Sequence, residues 1–147
     1  MALIITNTNA KAALDAIADS CEGGTPPAVL KIYANDGTPT VPVYPDDGVG
    51  GATLLSEHTM TNPAFDSADD ALPGAIVTAA AIADDSSCNA TGTAKFFQIE
   101  TGTAGTVLIQ GELATDSSKE LNFNSLSFVI GTTIQINSFT MTMPEGP

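Results

Sequence analysis

Any chemistry in this chain would have to start from one histidine, His58, and two cysteines, Cys21 and Cys88, the side chains best suited to proton transfer, nucleophilic attack or metal ligation near neutral pH. His58 sits in a stretch, residues 53–60, whose alternation places Leu54, Ser56, His58 and Met60 on one face of a strand and Leu55, Glu57 and Thr59 on the other. A histidine between Leu54 and Met60 reads as a core residue with one satisfied hydrogen bond, not as a general base. A Cys21–His58 nucleophile would need a third group to orient it, and the sequence signals none. The cysteines lie 67 positions apart (88 minus 21) and match no metal-binding spacing, so the expectation is two buried free thiols, with a single disulfide as the alternative in an oxidising compartment.

Carboxylates are the other candidates. Asp46 and Asp47, and the group Asp66, Asp69 and Asp70, are oxygen-rich, but the fixed ligand offsets of a calcium-binding loop are missing. They read as solvated loop charge. No phosphate-cradling, dinucleotide-binding or nucleophile-elbow motif occurs. The expectation is therefore no catalytic residue, no cofactor and no metal: a binding or structural module and not an enzyme.

Composition narrows the partners. Seventeen acidic residues against four lysines and no arginine give a net charge of −13. A phosphate backbone or an anionic bilayer would repel such a chain, so neither nucleic acid nor membrane is an expected partner. The absence of Arg and Trp removes the usual concentrated interface anchors, so any interface should be broad and built from Met, Phe, Ile and backbone groups. At 147 residues the chain is expected to form one domain, 1–147. Its N-terminal sequence predicts no signal peptide, and no apolar run is long enough to span a membrane.

The elements that must position these residues follow from periodicity. Ala13, Leu14, Ile17, Ala18 and Cys21 fall at helical spacing and predict a short helix over about 8–21, capped by Thr8 or Asn9 and ended by Gly23, Gly24 and two prolines. It is expected to pack on a sheet. From about residue 28 onward the pattern is one of short strands, at 29–33, 53–60, 75–82, 94–100 and 106–113, separated by Gly, Pro, Asp and Ser turns, with a helix as the alternative for the alanine-rich 75–82. Residues 66–74 are expected to be an acidic loop. Residues 121–143 alternate, turn at Gly131-Thr132-Thr133 and alternate again, which predicts a closing hairpin. Within it Ile134 and Ile136 share one parity and Phe139, Met141 and Met143 the other, so a bulge, a bend or a change of sheet is expected near Asn137. The fold class expected is mainly β: a compact antiparallel β-sandwich, jelly-roll or immunoglobulin-like, with one short N-terminal helix.

The order of these pieces resembles a family of small tailed-bacteriophage virion proteins. The residues that carry the resemblance are Ala13-Leu14-Asp15-Ala16-Ile17, Gly23-Gly24, Leu30-Lys31-Ile32-Tyr33, Leu54-Leu55, Asn62-Pro63-Ala64-Phe65, Ala90-Thr91-Gly92-Thr93-Ala94, Phe97, Leu121-Asn122-Phe123-Asn124 and Ser138-Phe139-Thr140. Family members carry an apolar residue where this chain has His58 and an aromatic where it has Met60, which implies that both point inward. The resemblance implies a capsid-decoration, or cement, protein on the outer surface of the head, bound to the major capsid protein and stabilising contacts between its subunits. It implies manufacture in the bacterial host cytoplasm and residence on the virion. The alternative it leaves open is a tail or host-adhesion component that binds a receptor or glycan. A homo-oligomer, dimer or trimer, is expected. The expected contact residues are Ala2, Leu3, Ile4 and Ile5, with Phe139, Met141 and Met143, because both groups are apolar at chain ends where a lone domain would fray.

Overall fold

In the computed structural model the chain is mainly β with a single N-terminal helix; the structure describes residues 4–22, 24, 26–71, 73–116, 119, 121–123, 125–136 and 138–145. In chain order the elements are α1 (Asn7–Ser20), β1 (Val29–Ala34), a 3-10 turn η1 (Pro45–Asp47), β2 (Thr53–Thr59), β3 (Asp69–Asp70), β4 (Ala75–Thr78), β5 (Gly92–Thr93), β6 (Phe96–Glu100), β7 (Val107–Ala114), β8 (Leu121–Asn122), β9 (Ser127–Phe128) and β10 (Thr140–Met143). They form a five-stranded sheet in the order β2-β1-β6-β7-β8, a three-stranded sheet β10-β4-β3 and a two-stranded ribbon β5-β9. Every pairing is antiparallel except the two-residue contact of β7 with β8, which is parallel.

The helix starts one residue earlier than its periodicity predicts. Thr6 is the cap, its hydroxyl accepting from the Asn9 N–H at 3.3 Å, because Thr6 is the last residue with extended backbone before the turn begins. Ala10, Leu14 and Ala18 are buried on the helix, which packs on β4 and β10, and Cys21 is buried at its C-terminal cap, whereas Ala13 and Ile17 face outward. A stripe set at steps of four, four and three residues is narrow, and the small alanines let the helix sit close to the sheet. Polar contacts fix its other flank: the Asp15 carboxylate accepts from the Ala68 N–H at 2.6 Å, and Asp70 takes both Asn7 (2.7 Å) and Lys11 (3.6 Å). Asp69 and Asp70 therefore belong to a strand paired with β4, not to a free acidic loop.

The core joins the two larger sheets through three phenylalanines. Phe97 of β6 meets Phe139 at 5.2 Å and 76°, and Phe139 meets Phe65 at 5.8 Å and 60°, edge-to-face arrangements that suit the ring quadrupoles. β7 makes room for this cluster with Gly111, where a Cβ would come within 2.5 Å of the Phe97 ring. β6 lies at the centre of its sheet and is buried along its whole length, which accounts for the apolar run around Gln98.

A bulge decides the faces of β2. Ile32 pairs with Ser56 but Tyr33 with Leu54, so Leu55 is the extra residue. The bulge lets Leu55 and Ser56 both be buried; Ser56, His58 and Met60 face inward as alternation predicts, whereas Leu54, expected on the same face, is carried to the opposite one beside Tyr33.

The closing hairpin does not form. The two halves of 121–143 pair elsewhere: β8 with β7, β9 with β5, Ile134 with Asp85 through an isolated bridge, and β10 with β4. The turn survives locally, with Gly131 at φ 78° and the Thr132 N–H donating to the Val129 carbonyl at 3.1 Å. The parity change is a transfer between sheets, since Ile134 bridges to Asp85 whereas Thr140 opens the ladder with β4; Asn137 itself lies outside the described residues.

Candidate functional site

His58 is fully buried, and both ring nitrogens are in use: Nδ1 lies 3.0 Å from the Ala83 carbonyl and Nε2 3.1 Å from the Ser56 hydroxyl. A neutral ring satisfies both, Nδ1–H donating to Ala83 and Nε2 accepting from Ser56. Desolvation holds the imidazole below its ordinary pKa of 6.5, partly opposed by the Ala83 carbonyl and by Asp85 and Asp84. The group is thus a neutral strap between β2 and the segment that follows β4, with no nitrogen left for a substrate.

The cysteines are free and buried. Cys88 Sγ lies 3.1 Å from the carbonyls of Leu55 and Ala90, and Cys21 approaches Ser20 and the Ile17 carbonyl near 4 Å. Burial pushes the Cys21 thiol up to about 11, so it is a poor source of thiolate at neutral pH.

The densest polar constellation lies on the opposite face of the five-stranded sheet, where the register sets Lys31 between Glu57 and Gln98, and Tyr33 beside Phe96. Lys31 Nζ reaches Glu100 at 2.8 Å and Glu57 at 3.7 Å. The Tyr33 hydroxyl donates to Glu100 at 3.4 Å while its ring stacks on Phe96 at 5.1 Å. Burial and the Glu100 carboxylate raise the Tyr33 phenol to about 12. Gln98 Nε2 donates to Gln110 Oε1 at 2.9 Å, and Gln110 Nε2 passes the chain on to the Pro42 carbonyl at 2.8 Å. Gln98 Oε1 is buried with no hydrogen-bond partner among the described residues. The arrangement ties four strands, β2, β1, β6 and β7, and the loop after β1 together; its lysine is engaged by two carboxylates and its tyrosine is held as a phenol, so neither is poised as a nucleophile or base. Among the described residues no group of three or more His, Cys, Asp or Glu is arranged to hold a metal ion. Asp47 serves as a local cap, accepting from the Tyr44 N–H at 3.1 Å.

The residues expected to make contacts fare unequally. Ala2 and Leu3 lie outside the described residues. Ile4 is 75% exposed; Ile5 is half-buried, and its N–H donates to the Glu145 carbonyl at 2.8 Å. Phe139 and Met141 are corrected: they are core residues, 1% and 8% exposed, because β10 is the partner of β4 and turns them inward. Met143 is half-buried against the same core. The surface offers other apolar groups in their place, Val43 and Tyr44 in the loop after β1 and Val129 and Ile130 in the turn after β9. Alternation marks 121–143 as extended without telling which apolar residues fall at an exposed turn, and only Gly131 hinted at it.

Comparison with protein-family models, curated proteins and solved structures gives no significant match. No helix among the described residues is long and apolar enough to cross a membrane.

Proposed function

We propose that this chain is a structural component of a tailed-phage particle: a decoration or cement protein that binds the outside of the head, bridges neighbouring copies of the major capsid protein, associates with itself and catalyses nothing. The observation that carries the reading is the division of labour among its side chains. His58, Cys88, Lys31, Tyr33 and Glu100 are all committed to holding strands together. Several large apolar side chains face water instead, with Ile4, Val43, Tyr44, Val129 and Ile130 standing at least half exposed. Small apolar contacts of this kind are individually weak, and they stabilise a shell when repeated over many copies. The resemblance to small virion proteins supplies the setting.

A second reading, a tail or host-adhesion component, is favoured by one feature: Tyr44 is 65% exposed beside a cleft of about 310 Å³ lined by Asn35, Pro42, Val43 and Asp47, a place where a sugar ring could stack. Counting copies on purified particles by quantitative mass spectrometry tests both. Hundreds of copies, restored when purified chain is added to stripped heads, are expected of a cement protein; a handful of copies supports the tail; absence from the particle sinks both.

A further inference from the structure

The sheet edges of this fold are treated unequally. The outer edge of β2 is sealed by the segment that follows β4: Asn89 N–H donates to the Leu55 carbonyl (2.7 Å), Glu57 N–H to the Asp85 carboxylate (3.1 Å) and Ala83 N–H to the Thr59 carbonyl (2.9 Å). The edge strand β3 is two residues of exposed acid, tied to α1 through Asn7 and Lys11. β7 is different. It is eight residues long, yet β8 follows its outer edge only opposite Leu113 and Ala114. The Ala114 carbonyl accepts from the Phe123 N–H on that edge at 3.0 Å, and alternation along the strand puts the N–H and C=O of Gln110 and Glu112 on the same side. Among the described residues, no segment pairs with 107–112 along it. Residues 107–111 carry no charge, and the Glu112 carboxylate is held by Lys119.

We infer that a second copy of this chain docks on the open edge of β7, the two β7 strands running antiparallel about a two-fold axis at Gln110 and joining the two five-stranded sheets into one. The inference rests on the self-association in the proposed function and names its surface. Open backbone donors and acceptors call for an extended segment, and an identical edge supplies one of matching length. Charge selects the copy and the register. A chain of net charge −13 repels its own kind wherever carboxylates face each other, and 107–112 is a strip where they are absent or paired. An axis at Gln110 sets Leu108 of one copy opposite Glu112 of the other; an axis at Glu112 would set two carboxylates face to face, which cross-strand pairing disfavours. The Gln110 side chain is already engaged by Gln98 and Pro42, so the strand is ordered before the second copy arrives. The contact is isologous and closes at a dimer, leaving the remaining surface for a lattice.

Sedimentation equilibrium of the full chain from micromolar to millimolar concentration tests this. The unsubstituted chain and Gln110→Ala, which keeps the backbone donor, are expected to dimerise reversibly. Gln110→Pro removes the central outward N–H without touching the ladder to β6, and is expected to weaken the dimer by about tenfold or more, with circular dichroism reporting its fold. Hydrogen exchange of the unsubstituted chain provides a measurement independent of that variant: the Gln110 and Glu112 amides are expected to slow as concentration rises. A chain monomeric throughout, a folded Gln110→Pro that dimerises undiminished, or concentration-dependent protection confined to other segments overturns the inference. A chain that dimerises through β7 yet ignores heads would sink only the proposed function, and one that binds heads as a monomer would sink only this edge.

Discussion

At the scale of single residues, the same apolar side chain near a chain end can close a core or meet a partner, and Phe139 shows what separates the outcomes. Its ring touches Phe97 and Phe65, one from each side of the core, so truncation leaves a cavity that neither ring can fill without leaving its rotamer. Phe139→Ala is expected to cost about 3–5 kcal/mol of stability, read from the shift in a denaturant midpoint. Ile4→Ser, at an exposed position, is expected to stay within about 0.5 kcal/mol. Equal losses for the two would show that the terminus contributes to the fold as much as β10 does. His58 makes the complementary point: its burial on the face of Met60 was legible from alternation, but the bulge that sends Leu54 to the opposite face and the second hydrogen bond, to Ala83 from 25 residues away, left no local trace.

Among the elements, the edge of β2 is sealed by two backbone hydrogen bonds and one loop carboxylate. Asp85 accepts from the Glu57 N–H with one oxygen and from the Ser87 N–H with the other, at 3.1 and 2.9 Å, and its backbone bridges to Ile134. Asp85→Ala leaves the Glu57 donor to water on an edge strand, at an expected cost of about 1–2 kcal/mol. Amide exchange at Glu57 should quicken in that variant while Leu30 and Ile99, inside the same sheet, keep their protection. Unchanged exchange at Glu57 would mean that backbone pairing alone seals the edge. The helix depends less on sequence detail: its buried face is three alanine and leucine positions and a cysteine, and its flank is held by Asp15 and Asp70.

For the whole molecule, titration links the buried groups to stability. The folded chain keeps His58 neutral below its ordinary pKa of 6.5, while the unfolded chain takes up a proton there, so stability is expected to be full above about pH 6.5 and to fall as the pH drops beneath it. On the alkaline side the folded chain keeps the Cys21 and Tyr33 protons to about 11 and about 12, whereas the unfolded chain releases them from 9.0 and 10.0. Their contribution is therefore present below about pH 9 and lost as the pH rises through those ranges. Thermal melts across pH should form a plateau between the two limbs. His58→Leu is expected to flatten the acid limb between pH 6.5 and 5 even if it lowers the plateau, and an acid limb unchanged in that variant would assign the loss to carboxylates instead.

The order of amino acids by itself determined that the chain is mainly β with one N-terminal helix, that β1, β2, β6 and β7 are strands, that His58 and Met60 face inward and that the cysteines are buried. These follow from period and composition, which local sterics and burial impose within a few residues. Tertiary structure alone decided which strands pair. The alternation in 121–143 specifies extended chain but not a partner, and the ladder partners available from β7, β5 and β4 drew its pieces apart instead of leaving them as a hairpin. The same contest placed Phe139 and Met141 in the core, brought Asp85 to the edge of β2, set Lys31 between Glu57 and Glu100, and left the edge of β7 open, because hydrogen-bond partners across a sheet are chosen by packing among distant segments and no short window of sequence encodes it.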